Sequence, residues 1–408
     1  MLVKQRKFLY LYALVLFIVS AIYGLLLRWN FTFPLKFIDY HNFLQSHSHV
    51  TFLGWGYIAT IGVIHSNFVK DSAKASKIYR ITIPIIVLSI TLMLISFPLG
   101  GYKLFSIVLL SVFGVTSYVL SFRLLKDLKG DGIPVKLIKY GIYYYLLSSL
   151  ATWFLAWVLL TQGKTELYYN TVYFYLHFLY NGYFAFVLFA LLFHVFEKEQ
   201  LAISKKLQQN FVLYINIACI PAYALSVLWS DVSIVFNAIG FVASMLQLIS
   251  LLYLIKIMRQ VYSQLKWNWL SKFLLKFSLL AYSLKICFQV LSAFPYIVEK
   301  SLALKPFFII GYLHLFTLAF MSVLLFLVLN KLDIFSFAKR ISKIGLLIFL
   351  LGVFVTELLL FSQGTLLLVG MSPLINYNIL VLIFSFFMVV GLLLIFGGQL
   401  FQKSSAEK

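Results

Sequence analysis

Apolar runs of about twenty residues, separated by short polar connections, recur along the whole chain. A run of that length crosses the hydrocarbon layer of a bilayer as an α-helix. Twelve such runs are read, at roughly 8–27, 47–69, 81–99, 104–125, 140–160, 171–196, 211–229, 233–257, 272–294, 306–330, 344–363 and 375–397. No connection between them is long enough for a soluble domain. Lipid offers the backbone no hydrogen-bond partners, so helices are the expected form, and the ten-residue alternation of a membrane barrel is absent. The pattern predicts an all-α, polytopic membrane protein with about twelve transmembrane helices.

Composition agrees, since 62% of the 408 residues are hydrophobic and 11% are charged, against roughly 25% charged in a soluble domain. The net charge of +21 raises the question of nucleic acid. No Lys/Arg-rich block or soluble domain exists to hold it, so nucleic acid is excluded as a partner. Topology explains the charge instead. With residues at segment ends counted to the nearer side, Lys and Arg divide 26 to 6, and Lys285 lies inside a segment. By the positive-inside rule both termini are cytoplasmic, and the expected location is a bacterial inner (plasma) membrane whose anionic lipids meet the basic side. Lys4, Arg6 and Lys7 precede an apolar run without a small-x-small cleavage site, which reads as a retained first helix. Cys219 and Cys287 form neither a disulfide framework nor a thiolate metal motif.

Three histidines stand in one local pattern. His47-Ser48-His49 is followed by Gly54-Trp55, Tyr175-Leu176-His177 by Gly182-Tyr183, and Tyr312-Leu313-His314 by Ala319-Phe320. The separations are 128 and 137 residues, in each case four segments. Segments 2, 6 and 10 run in the same direction, and at about 1.5 Å rise per residue each histidine falls roughly 5–12 Å below the outer boundary. The regularity predicts three four-helix units about a pseudo-threefold axis, at roughly 1–139, 140–267 and 268–408. Histidine inside a bilayer is costly and marks function by default. Neutral imidazole ligates metals and heme iron, so His49, His177 and His314 are the candidate ligands, with His47 as a further one. The bland alternative is that each ring hydrogen-bonds across a helix pair.

The rest of the pattern is less specific. The Gly or Ala five residues on lets a flat macrocycle or another helix come close. Tyr175 and Tyr312 are candidates to support the site through a propionate or a water. His41 reads as a loop residue, and His65 and His194 as interface residues. Glu357 and Lys285, both embedded, are candidate proton-relay residues. No Walker loop, dinucleotide fingerprint, HExxH or serine elbow is present.

These residues resemble the heme–copper oxidase subunit I superfamily, with its nitric oxide reductases and the related NnrS-like membrane proteins. The resemblance implies twelve helices in three arcs. It implies that His49 (or His47) and His314 are low-spin heme ligands and that His177 matches a copper ligand. The family's His-His pair on helix 7 has no counterpart in 211–229, and Tyr312 replaces the high-spin heme ligand. A complete oxygen-reduction site is therefore absent, and catalysis is left open. The segments around His49 and His314 look closer to NnrS-like proteins, which implies heme and copper binding and resistance to nitric oxide stress.

Three readings follow. The first is a heme-binding, copper-capable membrane protein in respiratory redox chemistry or nitric oxide handling, with an electron-transfer partner. One heme held axially by His49 and His314 would serve electron transfer, whereas three histidines on one ion would leave a position for a gas or peroxide. The second is a metal-free transporter or permease. The third is an oxidase assembly or sensing factor that keeps the scaffold without its chemistry.

Overall fold

The computed structural model describes residues 2–36, 38–230 and 233–400. Among these the only pairing of extended backbone is an isolated bridge between Val69 and Leu128, and every other element is helical. Ten helices are long and apolar enough to cross a membrane, or eleven if one bent pair counts as a single span. The protein is thus an all-helical, multi-pass membrane protein.

The helices are α1 (Leu2–Thr32), α2 (40–68), α3 (Lys77–Gly100), α4 (Leu104–Asp127), α5 (Ile133–Gln162) and α6 (Glu166–Lys198). They continue as α7 (Lys205–Cys219), α8 (Ile234–Gln264), α9 (Trp269–Ser292), α10 (Pro295–Lys331), α11 (Arg340–Leu368) and α12 (Tyr377–Leu400). α2 is not among the apolar spans. Its first turns, Tyr40–His49, are polar, yet residues 50–64 are all buried. α7 ends at Cys219, and Pro221–Val227 continues it after a bend of 48°. The uninterrupted span expected at 211–229 is broken there, because Pro221 brings no amide hydrogen and its ring cannot sit in a straight helix.

Several helices extend well beyond their apolar runs. α1 reaches Thr32 and α2 starts at Tyr40, so His41, read as a loop residue, is helical, and so is Arg28, just beyond the first apolar run. Backbone hydrogen bonding continues into the polar layer, where hydropathy no longer reports it.

The described residues gather into two compact units, Met1–Leu128 with Leu329–Lys408, and Lys129–Val328. In the first unit the tightest contact is α11 on α12. A Cβ on Gly345 would lie 2.7 Å from the Gly391 carbonyl, and one on Gly352 would lie 2.7 Å from the Phe384 carbonyl. A Cβ on Gly391 would lie 2.6 Å from the Phe349 amide. Gly345 and Gly352, seven residues apart, share one face, and small residues on such a face bring two backbones together. Polar bonds close the end of this bundle. The Gln399 side chain donates to the Ser336 carbonyl at 2.8 Å and accepts from the Ser336 amide at 2.8 Å, while Lys7 donates to the Gln399 carbonyl at 3.0 Å.

In the second unit α6 forms the centre. Residues 177–193 are all buried, which is why this helix is apolar on every face. α5 packs along it, and α9 packs against the middle of α10, with Tyr282 5.0 Å from Phe320.

The glycine seam generates a prediction. Gly391→Val forces two backbones apart and should destabilise the protein by about 1–3 kcal/mol, read as a lowered thermal midpoint in detergent, whereas Gly397→Val, where a Cβ meets nothing within 4 Å, should leave it unchanged. Equal effects would refute the seam.

Candidate functional site

The three patterned histidines share a local structure. His49 is the last α-helical residue of Tyr40–His49, His177 of Glu166–His177 and His314 of Lys305–His314. Each is followed at once by a π-helical stretch, Val50–Tyr57, Phe178–Phe184 and Leu315–Ser322. Among the described residues these are the only π stretches. A π turn trades i→i+4 for i→i+5 bonds, widens the helix and recurs at functional positions. Side-chain hydroxyls assist two of the transitions. Thr51 donates to the His47 carbonyl at 2.7 Å, and Ser322 reaches back five residues to the Thr317 carbonyl at 2.6 Å. The histidines are the tenth, twelfth and tenth residues of their α segments, so their register is closer than the apolar boundaries indicate. Each ring lies about 15–18 Å along its α segment, a length counted from the helix start and not from the apolar boundary.

In the first unit His47 and His49 point to different neighbours. His47 Nδ1 donates to the Ser20 carbonyl of α1 at 2.8 Å. Gly24 admits its ring, since a Cβ there would lie 2.8 Å from Cε1. His49 Nδ1 donates to the Gln45 carbonyl one turn back at 2.9 Å. Its ring stacks on Phe97 at 4.9 Å and 28°, and the Tyr102 hydroxyl lies 3.3 Å from Nε2. With Nδ1 carrying the proton, Nε2 of both rings bears the lone pair, which is the tautomer metal ligands use. Tyr102 is 42% exposed and belongs to the short connection before α4.

In the second unit His177 is tied on both sides. The break in α7 explains the first tie. The Tyr223 amide bonds the Ile220 carbonyl at 3.1 Å, so the Cys219 carbonyl lacks the amide that a continuous helix would supply. His177 Nε2 donates to that carbonyl at 2.8 Å. Nδ1 then accepts from Asn181 at 3.2 Å and Ser226 at 3.4 Å. The imidazole caps a broken helix inside an apolar layer, where an unbonded carbonyl is costly.

Tyr312 does not serve its own neighbour His314. It lies beside Asn181 and so joins the network around His177. Tyr175 is half-buried, in electrostatic reach of Tyr145. His314 is half-buried at the end of its α segment. Lys285 on α9 is 2% exposed, and among the described residues no carboxylate pairs with it. Its ammonium sits 5.6 Å from the Tyr282 ring and within electrostatic reach of Cys219 and His177. Glu357, buried on α11 in the first unit, lies within electrostatic reach of Arg28 and Tyr377. Arg28 also reaches Tyr40 and His47. Sequence reasoning missed Arg28. Trp29 and Phe31, amphipathic or apolar residues just beyond it, were the available sign that the helix continues.

The small-then-aromatic element resolves as helix packing. A Cβ on Gly54 would meet Leu16 of α1 at 3.0 Å, and one on Gly182 would meet Tyr144 of α5 at 2.5 Å. Trp55 stacks on Phe17 at 5.1 Å and 7°, and Tyr183 packs on Tyr145 at 5.5 Å. Protein side chains therefore occupy the places a macrocycle would take beside these glycines.

Among the described residues no three His, Cys, Asp or Glu side chains group to hold a metal ion. As a ligand to heme iron His49 fits in its donor chemistry, since Nε2 bears the lone pair and is met by the hydroxyl of the exposed Tyr102. His177 does not fit, because ligation would break buried hydrogen bonds on either nitrogen. No known protein family matches the chain, and no characterised protein matches it in sequence.

The capping role is testable. His177→Ala should cost about 1–3 kcal/mol by orphaning the Cys219 carbonyl, and His177→Gln, which keeps a donor, should recover part of it. Thermal unfolding in detergent reads both, and an alanine variant as stable as the parent would exclude the cap.

Proposed function

We propose that this is a heme-binding membrane protein acting in respiratory redox chemistry or nitric oxide handling, with His49 and His314 as the ligand candidates. The observation that carries the reading is the threefold recurrence of histidine as the last α-helical residue before a π stretch. An irregular, less stable turn that recurs three times directly after an embedded imidazole argues for a use. The recurrence also supports an internal repeat of about twelve helices in three four-helix units. The 26 to 6 division of Lys and Arg supports cytoplasmic termini in a bacterial inner membrane.

The protein's own part is donor chemistry. The Gln45 carbonyl fixes the Nδ1 proton of His49 and leaves Nε2 as the ligating nitrogen, while Phe97 holds the ring plane. A heme held by such an imidazole would supply single-electron transfer. Copper is disfavoured at His177, whose nitrogens are both engaged.

A second reading is favoured by a different observation. α7 is broken at Ile220, and His177 and Lys285 lie near that break. Discontinuous helices with charged residues at mid-membrane depth are a device of transporters. On this reading the protein is a metal-free permease.

One spectrum separates the two. The purified protein, reduced with dithionite, should give a Soret band with sharp α and β bands. His49→Ala and His314→Ala should each abolish or shift them, while His177→Gln keeps them. A spectrum without a Soret band, from protein expressed with ample heme and still folded, removes the heme reading and leaves transport.

A further inference from the structure

From residue 232 to 298 the chain contains six Lys or Arg and no Asp or Glu. Five of these cations, Lys256, Arg259, Lys266, Lys272 and Lys276, fall at the joined ends of α8 and α9. Two of them converge. Lys272 and Lys276 lie one turn apart on α9, and their ammonium groups sit 5.5 Å and 4.7 Å from the ring of Tyr262 on α8. Like charges at this spacing repel, and the Tyr262 ring face offsets only part of that. Among the described residues neither ammonium has an ion-pair or hydrogen-bond partner, and none is found for the Tyr262 hydroxyl. The acid brought to this end of the helices, Glu199, accepts from the Trp267 indole. Two cations thus gather at one tyrosine ring, and the described residues supply no carboxylate to pair with them.

The level of this place in the membrane identifies the acceptor. Beyond it toward the other end of the pair, α8 and α9 carry the apolar stretches that make them spans. Tyr262, 39% exposed, and Trp269 and Phe273 around it are aromatics of the kind found at headgroup level. We infer that Tyr262, Lys272 and Lys276 bind the phosphate headgroup of an anionic phospholipid of the surrounding bilayer. Phosphate oxygens supply what the two cations lack, and the acyl chains run down the exposed apolar faces of the two helices. Lys256, 5.5 Å from the Tyr253 ring, extends the basic surface toward the same lipid layer.

The full-length protein in lipid nanodiscs tests this. Discs of phosphatidylcholine alone are compared with discs containing phosphatidylglycerol, by native mass spectrometry of retained lipid and by thermal unfolding. The parent should retain phosphatidylglycerol and unfold at higher temperature in its presence. The double substitution Lys272→Gln with Lys276→Gln should weaken retention by roughly tenfold or more, and Lys272→Arg with Lys276→Arg should preserve it. Lys164→Gln, elsewhere in the same unit, should behave as the parent. The proposal fails if the double glutamine variant retains the lipid as the parent does. It fails equally if soluble glycerol phosphate gives the same stabilisation in neutral discs, because the occupant is then a free phosphate ester. Both lysines reach solvent, so their replacement tests binding and not folding.

Discussion

A peptide group in the hydrocarbon layer has no water to turn to, and the features of this protein follow from that. Ordinary α-helices satisfy the condition without help, which is why nearly the whole chain is helical. Each departure needs a partner supplied from elsewhere. Where α7 breaks at Pro221, the Cys219 carbonyl finds the imidazole of His177. Where α2 and α10 widen into π turns, Thr51 and Ser322 return hydroxyl protons to carbonyls four and five residues back. Where helices approach closely, glycine removes the side chain that would hold them apart.

The same constraint assigns different work to residues that look alike in sequence. His49 and His177 share a pattern and a place before a π stretch. His49 spends its proton on its own helix and keeps a lone pair facing an exposed tyrosine. His177 spends its proton on another helix and has its lone pair covered by Asn181 and Ser226. Position in a repeat does not fix chemistry. The direction of one ring, set by which carbonyl stands nearest, does.

Much of the fold could be read from the chain because lipid enforces a long apolar run for each crossing. The register of His49, His177 and His314 was equally legible, being a matter of spacing. Other features were not. Hydropathy marks the apolar layer and not the helix, so Arg28 and His41 fell outside their helices. π turns have no periodicity of their own that a pattern of apolar residues reveals. The break in α7 did have a signal, Ile220-Pro221, but proline is tolerated in membrane helices, as Pro84 inside α3 shows. The glycines after the histidines were legible as sites of close approach. Only coordinates could tell that Leu16 and Tyr144 fill them.

The seam between α11 and α12 has a mechanical consequence. Carbonyl and amide atoms of one helix occupy the volume that methyl groups would fill on the other, at Gly345, Gly352 and Gly391. Such a joint has no soft side-chain layer to shear. Tilting one helix alone would drive main-chain atoms into each other, so the two travel as a single stiff plank, and any rearrangement within that unit has to pivot around it.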